Sequence, residues 1–299
     1  MEPQLIQKID KNFTNKLASI AEKAALKSGE FALENIDSDI KIFSKEGKKN
    51  NLVTEIDRRN QKFIISMIKD HFPDHTIIGE EDKKNIKPKL HEIAWVIDPI
   101  DGTTNFVNKI PIFSVSIGVL FQGIPIAGAI WTPWMNEKSI LLKASLGNGA
   151  SINNKKNKIL DINPSKLSEG GIATLPSKIE TYFKVNKNKK EFIGEKRVLG
   201  SCAFEMMLIA KGISTYGILG PASSWDFAAG VIIIKESGGE VLSINSKNEW
   251  ENFKGFHDNY QINNETIENI RNWKGIMAGG SKKIINYTTK NLIPKKLSK

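Results

Sequence analysis

The sequence predicts an α/β fold with an antiparallel sheet in its first half and a mixed sheet in its second. Three observations predict it. Apolar residues between Leu5 and Glu34 recur at helical spacing, Ser114 to Leu142 breaks into short strands joined by tight turns, and beyond Ile172 strands alternate with helical patterns. At 299 residues the chain is long enough for a large core and two units, and we place the boundary near residue 158, giving 1–158 and 159–299.

In order, Ile6, Ile9, Phe13, Leu17, Ile20, Ala21, Ala24 and Ala25 mark the buried face of one or two N-terminal helices. Asp37 to Asn51 reads as a strand and a mobile loop. Asp57 then precedes a helix that buries Phe63, Ile64, Met67 and Ile68 and ends by Pro73. Thr76-Ile77-Ile78 is a short strand before Gly79-Glu80-Glu81-Asp82, and Trp95-Val96-Ile97 is a buried strand that stops at Asp98. Ser114 to Leu120, Ile124 to Trp131 and Ser139 to Leu142 form an antiparallel meander, and Gly147-Asn148-Gly149 is a turn.

Asn153 to Pro164 reads as a surface excursion. Ile172 to Leu175 is a strand, Lys178 to Lys190 a polar helix, Arg197-Val198-Leu199 a strand, and Ser201 caps a helix carrying Phe204, Met207, Leu208 and Ala210. Asp226 starts an apolar helix, Phe227 to Glu236, closed by Ser237-Gly238-Gly239. Strands, a polar insertion at Asn248 to Glu268 and a lysine-rich tail follow.

Composition excludes several classes. An apolar share of 40% and a charged share of 25% are ordinary for a globular protein. The longest apolar runs fall far short of the roughly 20 residues of a membrane-spanning helix, so no membrane role is expected. The N-terminus lacks the order of a signal peptide, and the single cysteine, Cys202, excludes an internal disulfide; a cytoplasmic location follows. The net charge of +10 is spread over Lys/Asn stretches without a basic, aromatic-bearing stripe, so no nucleic-acid partner is expected.

The chemistry gathers around Trp95-Val96-Ile97-Asp98-Pro99-Ile100-Asp101-Gly102-Thr103-Thr104-Asn105-Phe106. Two aspartates three apart stand beside a turn whose backbone N–H groups are free to meet an anion. Asp57, Glu80, Asp98, Asp101 and Asp226 all fall where an apolar element meets a loop or a helix start. Each also has a plain reading: Asp57 as an N-cap, Glu80 as one of three solvated acids, Asp226 as a charge offsetting a helix dipole. If they converge they need cations, and all-oxygen ligation favours Mg²⁺ or Mn²⁺ over zinc. His71, His75, His91 and His257 lack ligand spacing and read as ordinary surface or loop residues.

Gly79-Glu80-Glu81, Asp98-Pro99-Ile100-Asp101-Gly102-Thr103-Thr104-Asn105-Phe106 and Trp225-Asp226-Phe227-Ala228-Ala229-Gly230 resemble, in order and separation, the signatures of the inositol monophosphatase family. The resemblance implies a layered α/β/α/β/α sandwich and Mg²⁺-dependent, lithium-sensitive hydrolysis of small phosphorylated substrates, commonly in a homodimer. Most metal ligands would then belong to 1–158, with Asp226 and the substrate side in 159–299.

By position it implies metal ligands at Glu80, Asp98, the Ile100 carbonyl, Asp101 and Asp226, for two or three Mg²⁺ ions per site. Asp57 would help set the water, Gly102 and Thr103 would form the phosphate-binding turn, and Thr103 with Glu80 would position the attacking water. Ser201, Cys202, Leu219 and Asp226 would lie on the substrate side, Cys202 as lining and not as nucleophile.

Leu219 stands where inositol phosphatases carry a glutamate that contacts ring hydroxyls, and Gly212-Ile213-Ser214-Thr215 lacks the acid usual there. A sugar or inositol phosphate is the expected substrate. Fructose 1,6-bisphosphate, histidinol phosphate and 3′-phosphoadenosine 5′-phosphate are the alternatives. A noncatalytic metal- or phosphate-binding protein is the alternative of another class. The Lys45 to Asn51 loop is a candidate source of a lysine and a weaker metal site.

Overall fold

The computed structural model describes residues 9–44, 52–82, 90–135, 137–185, 194–257 and 263–296. The Lys45 to Asn51 loop lies outside them. Helix α1 (Lys11–Asn35) starts at Asp10, whose side chain accepts the Asn12 N–H at 3.1 Å, and it buries Leu17, Ala21, Ala24 and Ala25. Strand β1 (Ile42–Ser44) pairs antiparallel with β2 (Leu52–Thr54), which leads into α2 (Glu55–His71).

A seven-stranded sheet follows in the order of the chain: β3 (Thr76–Gly79), β4 (Ile93–Asp101), β5 (Ser114–Phe121), β6 (Ile124–Trp134), β7 (Lys138–Ser145), β8 (Gly149–Ile152) and β9 (Lys155–Asn157). Only β3 and β4 run parallel; the rest is the expected meander. A short helix, α3 (Thr103–Val107), leaves the end of β4. The surface stretch from Asn153 to Pro164 is in part a strand, β9, and begins with a turn at Asn153 and Asn154. They adopt left-handed φ values of 47° and 65°, close the β8–β9 hairpin, and so extend the sheet.

The second half contributes β10 (Ile172–Thr174), α4 (Ile179–Tyr182), β11 (Phe183–Val185), β12 (Glu195–Arg197), α5 (Cys202–Ala210), β13 (Ser214–Ser223) and α6 (Ser224–Glu236). Then come β14 (Glu240–Ile244), β15 (Trp250–Asn252), α7 (Asn264–Asn272), β16 (Lys274–Gly280), α8 (Lys282–Asn291) and β17 (Leu292–Pro294). The six-stranded sheet has the order β12-β10-β13-β16-β14-β15, parallel around β10 and antiparallel elsewhere, hence mixed.

Helix α6 is apolar all round because it is covered on every side. It packs between the sheets, and Gly118 and Gly128 let β5 and β6 meet Ala228 and Ala229; a Cβ on Gly118 would stand 2.4 Å from that of Ala228. With α1 outside the first sheet and α8 outside the second, the layers are α/β/α/β/α, as the resemblance implies.

Three other expectations change. The predicted helix from Lys178 stops at Tyr182 and turns into β11, because Phe183 is buried in a stack on Trp250 with centroids 5.5 Å apart; residues 186–190 lie outside the described ones. The strand expected at Arg197 to Leu199 spans Glu195–Arg197 instead. The polar insertion contains β15 and the capped start of α7, and the lysine-rich tail contains α8, anchored by buried Ile284 and Ile285.

A candidate cation and phosphate site at the end of β4

Strand β4 is buried along its whole length and runs through Asp98 to Asp101, past the predicted end. Its pairing with β5 goes from Asp98↔Ser116 to Asp101↔Ser114, three residues opposite two. That extra residue is a bulge. In a regular strand, residues three apart face opposite sides; the bulge turns both carboxylates the same way. Asp98 Oδ1 accepts the Ile100 N–H at 3.0 Å, and Asn60 Nδ2 reaches the Pro99 carbonyl at 3.4 Å, holding the bulge from within.

Asp226 comes to the same place from α6. Ser223 is the N-cap, and Asp226, at the third helical position, accepts the Ser223 N–H at 2.6 Å in a capping box. Ser116 Oγ donates to the Trp225 carbonyl at 3.1 Å, tying this helix start to β5. One carboxylate oxygen from each of Asp98, Asp101 and Asp226 lies within 4.8 Å of the others. Glu80 follows β3, its N–H donating to the Ile97 carbonyl at 3.0 Å, and its carboxyl lies next to Asp98.

Burial first, then the charges of Glu80, Asp101 and Asp226, push the Asp98 carboxyl well above its ordinary value. Burial likewise raises Asp226. Asp101 is raised by burial to about 6, the Ser201 hydroxyl and the Ala203 N–H pulling it back. Two charges 4.8 Å apart repel by roughly 3 kcal/mol at an effective dielectric constant of about 20. A cluster of this kind needs protons or cations, and its donors are all oxygen, which fits Mg²⁺ or Mn²⁺.

Asp57 joins by another route, and it is not an N-cap. Thr54 caps α2, and Asp57, three residues on, accepts the Thr54 N–H at 2.8 Å and the Thr54 hydroxyl. Its other oxygen lies 3.3 Å from Thr103 Oγ1, which also reaches the Ile100 carbonyl at 3.0 Å. Gly102, with φ 91°, turns the chain into α3; a Cβ there would stand 3.0 Å from Ser201 Cβ and from the Ile112 carbonyl.

Of the expected substrate-side residues, Ser201, Cys202, Leu219 and Asp226 line a cavity of about 350 Å³ beside the cluster, together with Asp101. Gly102 and Thr103 are not part of that lining. Burial pushes the Cys202 thiol well up, which suits lining and not nucleophilic attack. Glu81 and Asp82 are not freely solvated: Gln61 takes the Glu81 N–H at 2.9 Å and donates to Asp82 at 2.9 Å, and Asp82 accepts the Gly79 N–H at 2.8 Å. His75 is no surface residue either, being buried against Phe72 with Nδ1 accepting from Trp95 Nε1 at 3.0 Å.

One contributor escapes motif reading, and a second, Asn105, stands in the Asp98 to Phe106 motif without a role assigned to it. Glu205, buried in α5, accepts the Leu199 N–H at 2.9 Å, and burial raises its carboxyl to about 7. Asn105 donates to the Leu199 carbonyl at 2.7 Å from the other side. Together they clamp the turn that delivers Ser201. A lone acid in the otherwise apolar run Cys202–Ala210 was the available signal.

The fold and this donor set define a layered α/β protein with a candidate all-oxygen cation site between its sheets. Residues 14–277 match the model of the inositol monophosphatase family, so the chain belongs to that family. It is 32% identical over 228 residues to a fructose-1,6-bisphosphatase/inositol-1-monophosphatase of Aquifex aeolicus, covering 75% of this chain and 84% of that one. It is 34% identical over 235 residues to the Nus factor SuhB of Pasteurella multocida, covering 77% and 86%.

Among solved structures, an IMPase of Thermotoga maritima superposes with a TM-score of 0.69 at 27% identity, covering 92% of this chain and 96% of that one. An inositol monophosphatase of Anabaena gives 0.66 at 26%, covering 93% and 95%. The relatives named Nus factor give no support to the exclusion of a nucleic-acid partner. Among the described residues no helix is long and apolar enough to cross a membrane.

Proposed function

We propose that this chain is a Mg²⁺-dependent phosphomonoesterase acting on a small phosphorylated alcohol, with sugar and inositol phosphates as the first class to test. The observation that carries the reading is the convergence of Asp98, Asp101 and Asp226 within 4.8 Å in a member of a phosphatase family. Glu80, Asp98, the Ile100 carbonyl, Asp101 and Asp226 would hold two or three ions. Bound divalent cations would supply a water acidic enough to attack near neutral pH and neutralise charge on the departing oxygen.

The chain's own residues do the rest. Thr103 Oγ1, placed by Asp57 and the Ile100 carbonyl, orients the attacking water with Glu80, and the Gly102–Thr103 turn receives the phosphate. Ser201 fixes Asp101, and Leu219 meets the alcohol. Lithium sensitivity, a homodimer and a cytoplasmic location belong to the same reading.

The test is phosphate release from inositol 1-phosphate, fructose 1,6-bisphosphate, histidinol phosphate and 3′-phosphoadenosine 5′-phosphate, with and without Mg²⁺. Mg²⁺-dependent release from at least one supports the reading. Tight Mg²⁺ and phosphate binding without release from any would favour a noncatalytic protein. The relatives named Nus factor make RNA binding at graded salt a useful parallel measurement.

A further inference from the structure

The cavity beside the acid cluster is built for something other than a bare polyol. Away from Asp101 and Asp226, its wall carries an apolar patch of Leu175, Pro176, Val198, Ile218, Leu219 and Pro221. Each acid of the lining has one oxygen that accepts a hydrogen bond from the chain: Asp101 from Ser201 at 2.7 Å, Glu205 from the Leu199 N–H at 2.9 Å, and Asp226 from the Ser223 N–H at 2.6 Å. A ring rich in hydroxyls would leave polar groups against hydrocarbon, at a cost that a hydrogen-bonding wall avoids.

One base faces this cavity. Among the described residues Lys178 is the only cationic side chain of the lining, it is exposed, and it forms no ion pair. The acid two positions on, Glu180, is taken by Lys196 at 3.3 Å. Ser177 and Tyr182 flank the lysine with hydroxyls. A lysine without an ion pair at the edge of a cavity with an apolar patch is a receptor for an anion.

Resting on the phosphatase reading, we propose that the preferred substrate carries a second anionic group, a carboxylate or phosphate, on an apolar-bodied alcohol, and that Lys178 binds this group.

Phosphate release from phenyl phosphate, 4-carboxyphenyl phosphate, 1,4-phenylene bisphosphate and inositol 1-phosphate tests it, with isothermal titration of the same esters to the Mg²⁺-loaded protein. The two anion-bearing aryl esters are expected to lead by about tenfold in kcat/KM, chiefly through KM, and their order identifies the anion. Lys178→Gln should lower the ratio of either to phenyl phosphate about tenfold, and Lys178→Glu should lower it further. An unchanged ratio overturns the inference, as does an equal loss on all esters, which would place Lys178 on the scissile phosphate. If neither these esters nor the four substrates of the earlier screen are hydrolysed, the phosphatase reading falls. Calorimetry then decides the anion site alone: selective weakening of the carboxylated ester by Lys178→Gln supports it, and equal binding overturns it.

Discussion

Ser201 donates its hydroxyl proton to Asp101 Oδ2 at 2.7 Å, across 100 positions of the chain. The same oxygen accepts the Ala203 N–H at 2.5 Å, and Ser201 Oγ in turn accepts the Phe204 N–H at 3.3 Å. The cap of α5 and the acid at the end of β4 are one unit. Ser201→Ala should therefore cost about 1 kcal/mol of stability for the lost cap and weaken Mg²⁺ binding about 10- to 100-fold through a freed Asp101. A Mg²⁺ titration of phosphate release alongside a thermal melt checks both; an unchanged Mg²⁺ midpoint would separate Ser201 from the site.

His75 links pH to stability. Its ring stacks on Phe72 with centroids 4.5 Å apart and lies 4.6 Å from that of His91, and burial, helped by His91, lowers its pKa to about 4 from 6.5. The unfolded chain binds this proton more readily between those values. The contribution of His75 is therefore complete above pH 6.5 and lost as pH falls toward about 4. Melting temperature should drop across that window in the native protein, and His75→Gln should show a shallower drop. Parallel slopes would remove His75 as the cause.

Gly29 sits where α1 crosses the first sheet. A Cβ there would lie 2.0 Å from the Trp131 ring, which is fully buried and has no room to retreat. Gly29→Ala should cost about 1–3 kcal/mol by overpacking. Urea unfolding measures it, and a loss under 0.5 kcal/mol, the range of an ordinary surface change, would show that helix and sheet part readily.

Much of this site was legible because its acids stand at the ends of apolar runs. Asp98 closes an apolar run and Asp226 opens one, so both positions could be read from the pattern. That Asp98 and Asp101 share a face could not be, since period-two alternation separates them and only the bulge against Ser114 and Ser116 reunites them. The cap of α2 lies at Thr54, three residues before the Asp57 that the sequence suggests, because Thr and Asp both cap well and Thr54 is the one that stays extended, with φ −106° and ψ 167°. Phe183 became a strand residue through Trp250, a partner far along the chain that no local window contains. Glu205 offered only its oddity in an apolar helix; its partner, the Leu199 N–H, appears once the turn is folded.

The central claim is that the carboxylates of β4 and α6 hold catalytic cations, and Asp98→Asn tests it most directly. The variant removes one charge from the middle of the cluster while keeping the side chain's size. Phosphate release from the best ester is measured with increasing Mg²⁺, together with the Mg²⁺-induced rise in melting temperature. Saturating Mg²⁺ should stabilise the native protein, by about 2.7 kcal/mol at a hundredfold excess over Kd. In Asp98→Asn, Mg²⁺-dependent release should be nearly abolished and most of the Mg²⁺-induced rise lost, with the melt otherwise intact. Full activity and an undiminished Mg²⁺ shift would contradict the account.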